Sequence, residues 1–221
     1  MSLSDHTILT MRIVFLADTH NEHWNVEVPD GDMIVHAGDM SGSGTADQLS
    51  DFFDWFRRLP HRRKLVIAGN HDWLFQLSAE QARKLARGVV YLEDEAAVVD
   101  GLKFYGTPWQ PWFMDWAFNL QRGAPLKAKW DLIPTGTDIL ITHGPPHGIG
   151  DKTEAGEQAG CEDLSRAVLK IRPRIHVFGH IHEGYGVHKR KGTRTIFVNA
   201  SICNASYDPV NKPVVLELGV E

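Results

Sequence analysis

The sequence predicts a single α/β domain built on at least partly parallel sheets, and two observations carry this. Short runs rich in Val, Ile and Phe recur along the chain, each stopping at a polar residue, and helical patterns lie between them. Runs of that length read as strands buried on both faces, and strands alternating with helices give an α/β layering. In such sheets the ligand crevice lies at the carboxyl ends of the strands, and here those ends carry Asp, Asp, Asn, His and His.

In chain order, Ile13–Ala17 stops at Asp18 and Met33–Ala37 stops at Gly38-Asp39. Thr45–Leu59 carries Leu49, Phe52, Phe53 and Phe56 as a helical stripe closed by Pro60. Leu65–Ala68 stops at Gly69-Asn70. Ser78-Ala79-Glu80-Gln81 reads as a capping box opening a helix through about Arg87. Val98–Phe104 reads as a hairpin turning at Asp100-Gly101. Ile139–Thr142 stops at His143, and Cys161–Ile171 has Leu164, Val168 and Ile171 at helical spacing before Pro173. His176–Phe178 stops at Gly179-His180, and Thr193–Val198 and Val214–Leu218 read as further strands. Residues 1–10 look like a leader, so the domain is expected over 11–221.

A chain of 221 residues suits one domain of this class, and 43% hydrophobic against 23% charged residues can bury a sizeable core. At a net charge of −5, nothing at the whole-chain level suggests a nucleic-acid or membrane-surface binder. Cys161 and Cys203 make no disulfide framework and are expected to be buried, reduced thiols. No apolar run approaches a membrane span, and Ile13–Ala17 is too short for a signal-peptide core, so the expected location is cytoplasmic. The sequence carries no signal for an oligomeric state.

Twelve histidines stand out, since His is the commonest metal ligand and proton shuttle near neutral pH. The polar strand ends read Asp18-Thr19-His20, Gly38-Asp39, Gly69-Asn70-His71-Asp72, Thr142-His143-Gly144 and Gly179-His180-Ile181-His182. In extended chain, residues two apart point the same way, so Asp18 with His20, and His180 with His182, can each face one site. Carboxylates, imidazoles and an amide without a thiolate suit Mn, Fe or Zn, in contrast to a Cys-type structural zinc or an all-oxygen calcium site. Seven candidate ligands (Asp18, His20, Asp39, Asn70, His143, His180, His182) are too many for one ion with an open position. They suffice for two divalent ions sharing one carboxylate, with Mn the first choice and Fe, Zn or Mg the others. Two metals about 3.5–4 Å apart clamp phosphate oxygens and bring the pKa of a bound water towards ~7. The expected reaction is therefore in-line attack on phosphorus by a metal-bridging hydroxide. The leaving alkoxide needs a proton, and His71, next to Asn70, is the candidate catalytic donor. Asp72 either orients it or ends the turn.

The ordered set D-x-H, G-D, G-N-H-D, H-G and G-H-x-H over residues 18–182 resembles the calcineurin-like metallophosphoesterases. The resemblance implies a four-layer α/β/β/α sandwich with two central mixed sheets. It also implies Asp18, His20 and His182 on one metal, Asn70, His143 and His180 on the other, and Asp39 bridging. His71 would be the general acid or a phosphate-binding donor. The stretches Tyr105–Phe113, Thr142–Pro146 and His180–Gly186 look like the metallophosphoesterase-domain-containing (fetal-brain-protein type) phosphodiesterases. Some of those carry Gly where this chain has His180, and the complete set here implies two well-held ions.

Outside the motifs, His6, His23, His36, His61, His147, His176 and His188 are read as structural by default, His36 and His176 because they fall inside strands. His23 and His147 lie just past motif ends and stand as secondary candidates for substrate contact. Trp109, Trp112, Phe113, Trp116 and Phe118 read as packing in preference to a base-stacking platform. Arg57 to Lys64 reads as the solvated end of a helix, and Asn199 as a support of the site. The expected activity is hydrolysis of a small phosphodiester, cyclic nucleotides included. The alternatives are a phosphomonoesterase or nucleoside-polyphosphate hydrolase, and a non-catalytic scaffold, against which the full ligand set argues. A nuclease would need a basic strip beyond Arg57–Lys64.

Overall fold

In a computed structural model describing residues 9–220, the elements follow in order as β1 (Leu9–Leu16), β2 (Met33–Ala37), α1 (Ala46–Arg58), β3 (Arg63–Ile67), α2 (Trp73–Leu77) and α3 (Ala79–Leu85). Then come β4 (Val90–Tyr91), β5 (Glu95–Val99), β6 (Leu102–Thr107), β7 (Gln110–Pro111), β8 (Asn119–Leu120) and α4 (Ala124–Trp130). The chain continues through β9 (Ile139–Thr142), α5 (Glu162–Ile171), β10 (Ile175–Phe178), β11 (Gly186–Lys189), β12 (Ile196–Asn199) and β13 (Val214–Val220).

One sheet has the order β13-β1-β2-β3-β4, parallel except for β13. The other has the order β11-β12-β10-β9-β6-β5, with four parallel inner strands and an antiparallel strand at each edge. The alternation along β1 shows how the layers form. Met11, Ile13, Phe15 and Ala17 face the second sheet and meet Phe104, Ile139, Ile141 and Val177. Val14 and Leu16 face the opposite way, towards Phe52, Phe53 and Phe56 of α1 and Phe75 of α2. On the far side of the second sheet, Tyr105, Leu140, Phe178 and Phe197 pack against Leu126 and Trp130 of α4 and Leu164 and Val168 of α5. The result is the four-layer α/β/β/α order that the resemblance implied. Each fully buried large apolar side chain in these layers contributes about 1.5–3 kcal/mol.

Local expectations and structure differ where distant partners intervene. β1 begins at Leu9, earlier than its apolar run, because β13 pairs along it from Leu9↔Val220 to Phe15↔Val214. Of the leader expected over residues 1–10, residues 1–8 lie outside the described residues, and Leu9 and Thr10 are already strand. Thr45 caps α1, its Oγ1 accepting the Gln48 N–H at 3.3 Å. Ser78 forms no capping box: it also ends α2, donating its N–H to the Leu74 carbonyl, and its side chain caps nothing. The turn between β5 and β6 has Asp100 at φ 47° and Gly101 at φ 84°, the doubly positive geometry that favours Asp-Gly. Arg62 and Arg63, expected in a solvated run, both ion-pair with Asp100 at 2.8 Å. Cys161 and Cys203 are buried and free. No helix among the described residues is long and apolar enough to cross a membrane.

Candidate metal centre

Parallel registry brings the strand ends to one level. β1, β2 and β3 deliver Asp18, Asp39 and Asn70, while β9 and β10 deliver His143 and His180 from the facing sheet. The backbone leaves the strands in the left-handed region at Asp18 (φ 52°), His20 (42°), Asp39 (56°) and His180 (68°). Non-glycine residues held there store strain of roughly 1–3 kcal/mol each, a cost met where a site requires it. Two motif glycines let carboxylates come close: a Cβ on Gly69 would collide with Asp39 Oδ1, and one on Gly179 would collide with Asp18 Oδ2.

All seven predicted ligands and His71 converge. Potential ligand atoms of Asp18, His20 and His182 lie within 4.8 Å of one another, as do those of Asp39, His143 and His180, and those of His20, Asp39 and His71. Asp39 is central, with Oδ2 at 3.4 Å from His143 Nε2, 3.7 Å from His20 Nε2 and 4.0 Å from His71 Nε2. The Asn70 amide oxygen lies 2.8 Å from His143 Nε2. Asp18 accepts the His180 N–H at 2.9 Å and the Ser201 hydroxyl at 2.6 Å, so one sheet secures the carboxylate of the other.

The imidazole orientations test whether this set fits cations. His143, His182 and His71 donate Nδ1–H to the carbonyls of Ala37, Asn204 and Gly42 at 3.0, 2.8 and 2.7 Å. A carbonyl only accepts, so Nδ1 carries a proton and Nε2 faces inward, able to ligate whenever it carries none. Backbone support of this kind commonly orients metal-bound histidines. The inward ring nitrogens are crowded together: His20 Nε2 is 3.2 Å from His182 Nε2, and His143 Nε2 faces both Asn70 and Asp39. Two carboxylates, an amide oxygen and inward imidazole nitrogens at these distances favour positive charge at their centre, and the donor set fits divalent ions. At His143 a proton on Nε2 and a cation compete for the same place. Burial opposes a charge on His143, yet the Asp39 carboxylate outweighs it and raises its pKa to about 9. Burial takes His20 down to about 4 and His180 down to about 3.

Asp72 does not touch the His71 ring in a hydrogen bond. It accepts the N–H groups of Met40, Ser41 and Gly69 and the Ser41 hydroxyl, clamping the loops after β2 and β3 together. Its burial, helped by the Asp39 charge, raises it to about 6 against those donors. Asn199 supports the site as expected from its strand-end position: it donates to the Ile181 carbonyl at 2.7 Å and accepts the Ser201 N–H at 3.1 Å. The two strand histidines are structural. His36 Nε2 lies 3.1 Å from the Thr19 hydroxyl and His176 Nε2 lies 2.9 Å from that of Thr142.

Neither secondary candidate joins the cluster. His23 is fully buried between Phe52 and Trp55 and bonds Asp51 at 3.0 Å, so the loop after β1 uses it for packing. His147 lines a separate surface groove with His188 and Lys189. The aromatic cluster divides, since Trp109 and Phe118 pack together while Trp112 and Phe113 are exposed and Trp116 stacks on His71. Sequence reasoning missed Ser201, Trp116 and Tyr207, the last standing edge-on to His20 at 4.7 Å and to His182 at 5.7 Å. Above the cluster lies a cavity of about 320 Å³ walled by Phe113, Trp116, Tyr207 and Glu183. A second of about 360 Å³ adjoins it through Phe113 and His180.

Comparison with known proteins places this geometry. Residues 11–184 match the family model described as calcineurin-like phosphoesterase. The chain is 42% identical over 232 residues to metallophosphoesterase domain-containing protein 1 of Homo sapiens, covering 94% of this chain and 71% of that protein. The mouse protein of the same name matches equally. Among solved structures, a phosphopantetheinyl hydrolase from Mycobacterium tuberculosis superposes with TM-score 0.63 at 14% identity, covering 91% of this chain and 95% of that one. The protein TT1561 of Thermus thermophilus does so with TM-score 0.59 at 11% identity, covering 96% and 100%. At these identities the structural matches speak for the fold.

Proposed function

The chain belongs to the calcineurin-like phosphoesterase family, a family of metal-dependent hydrolases, and from that premise we propose that it is a dinuclear phosphodiesterase acting on small diesters, cyclic nucleotides among them. The observation that carries the diester preference is the wall of the cavity over the cluster. Phe113, Trp116, Tyr207 and Glu183 form it, and among the described residues no Lys or Arg lines it. A diester brings one negative charge and a second organic arm, which suits an aromatic wall. A monoester or polyphosphate brings further charge that would face Glu183 with no Lys or Arg in this wall to share it, and Arg122 of the adjoining cavity is already paired with Glu162 at 2.7 Å.

Asp18, His20 and His182 would hold one ion and Asn70, His143 and His180 the other, with Asp39 shared. When bound, the two ions would supply Lewis acidity and an activated water. Manganese suits this mixed oxygen and imidazole set. The role we assign to His71 is proton donation. With Nδ1–H held by the Gly42 carbonyl, the protonated ring gives its Nε2 proton to the departing oxygen as the P–O bond breaks, so an alcohol leaves instead of an alkoxide. Two buried free thiols support a reducing, cytoplasmic location.

Parallel turnover of a bis-aryl diester, an aryl monoester, and 2′,3′- and 3′,5′-cyclic nucleotides, with and without added manganese, tests the reading. We expect kcat/KM on diesters to exceed that on the monoester by roughly tenfold or more, the equivalent of about 1.4 kcal/mol in the transition state. Equal or better turnover of the monoester would overturn the preference.

A further inference from the structure

Trp116 lies flat against the imidazole of His71, with ring centroids 4.1 Å apart and planes 27° from parallel. The contact is built into the chain that follows. Ala117 donates its N–H to the Asn70 carbonyl at 3.1 Å, and Phe118 donates its N–H to Gln76 Oε1 at 2.5 Å. Both residues are buried. The loop carrying Trp116 is thus fastened to the very turn that carries Asn70 and His71, and to the helix α2 that follows it. Around the His71 ring the other neighbours are the Gly42 carbonyl, which accepts its one hydrogen bond from Nδ1, the His20 ring edge-on at 4.6 Å, the Asp39 carboxylate at 4.0 Å from Nε2 and the Tyr207 ring edge-on at 6.1 Å, so Trp116 is the one ring stacked on its face. A single hydrogen bond leaves the ring free to rock about it, whereas a stacked indole removes that freedom at small entropic cost, having only two side-chain torsions of its own.

We propose that Trp116 is a positioning residue: clamped face to face on His71, it holds the imidazole with Nε2 turned towards the reacting ester. The proposal rests on the reading of His71 as proton donor to the leaving group. Trp116 acts only through that ring, so its removal should matter where the proton matters. Misplacing a reacting group by about 1 Å costs on the order of 10²-fold in rate.

The test compares the wild type with Trp116→Leu, Trp116→Phe, His71→Ala and the double variant His71→Ala with Trp116→Leu. Elemental analysis and circular dichroism check metal content and folding. The first readout is independent of activity: in zinc-loaded protein, the ring protons of His71 should carry an upfield ring-current shift in the NMR spectrum. That shift should be lost in Trp116→Leu and largely retained in Trp116→Phe. The second readout is the leaving-group dependence of kcat. Trp116→Leu should lower kcat on a nucleoside or alkyl diester by roughly 10- to 100-fold, with little change in KM, and lower it far less on a bis-nitrophenyl diester. Trp116→Phe should restore most of the loss, and the double variant should be no slower than His71→Ala alone.

Equal losses on both substrates would overturn the proposal, as would a Trp116→Leu effect that persists in the His71→Ala background or one confined to KM. An unchanged His71 shift in Trp116→Leu would overturn it without reference to turnover. If Trp116→Leu loses its fold or its metal, the same comparisons made on Trp116→Phe, with a partial effect expected, decide the matter. If His71→Ala itself slows both substrates equally, the donor reading of His71 falls, while the NMR shift still decides whether Trp116 fixes the ring.

Discussion

The two sheets arrive at the cluster with opposite chemistry on similar supports. The first brings mostly oxygen, as Asp18, Asp39 and Asn70 with one imidazole candidate, His20, whereas the second brings His143, His180 and His182. Behind each set stands the same device, a histidine buried inside a strand and bonded to the threonine beside a ligand: His36 to Thr19 in one sheet and His176 to Thr142 in the other. The difference lies in how the polar groups are completed. The carboxylate of Asp18 is satisfied by the His180 amide and the Ser201 hydroxyl, both from the partner sheet, and Asp39 Oδ2 lies nearest to His143 among the imidazoles. Neither sheet alone therefore offers a finished site. Under the proposed function, metal binding and the docking of the two sheets become one event, since a site that both sheets complete couples ligation to folding.

Asp39→Ala should break this arrangement most severely, because it removes the group shared by both halves. We expect metal and activity to be lost together, and chelation by EDTA, which should lower Tm in the wild type, to have little further effect in the variant. Full metal occupancy by elemental analysis would remove the shared role.

The comparison is sharpened next by His71, an imidazole that the first sheet contributes beside its oxygens. His71→Ala should keep both ions yet lower turnover of nucleoside or alkyl diesters by about 10²–10⁴, the usual worth of a general acid. Loss of metal in this variant would make His71 a ligand and redraw the division between the sheets.

The smallest effect concerns the supports. Burial takes His176 down to about 3 from the ordinary 6.5. The unfolded chain therefore binds this proton first, and the stability tied to the neutral ring is fully present above about pH 6.5 and is lost as pH falls towards 3. His176→Gln, which keeps an amide donor for Thr142, should flatten urea midpoints between pH 7 and 4, by an amount on the order of 1 kcal/mol. His36→Gln should do the same in the first sheet, since burial holds His36 well below its usual value too. A change in acid slope for one variant alone would show that the two supports are not equivalent.

What could be read from the sequence follows from where the chemistry sits. Ligands at the ends of buried strands announce themselves, because an apolar run must stop for Asp18, Asp39, Asn70, His143 or His180. The groups that aim those ligands do not. Gly42, Ala37 and Asn204 act through carbonyls that every residue possesses, so no side chain signals them. Trp116 reaches His71 through a loop 45 positions away in the chain, and in the sequence it is one more aromatic among five. Helix α4 was invisible for a different reason. Its buried face consists of Leu126 and Trp130 alone, too short a stripe to set a period. The full length of β1 depends on β13, more than 190 residues further on.

That last pairing has a consequence for how the molecule comes into being. A chain lengthening from its amino end presents Asp18, Asp39 and Asn70 well before His143 and His180 are made, and Ser201 and the strand that flanks β1 come later still. Until then β1 has an unsealed edge, and two carboxylates meant for the interior have no amide, hydroxyl or imidazole from the second sheet to receive them. The nascent domain passes through a stretch of synthesis in which its acidic half exists without its basic half. Contacts of such long sequence separation close slowly, so under the proposed function capture of the ions belongs to the final stage of maturation.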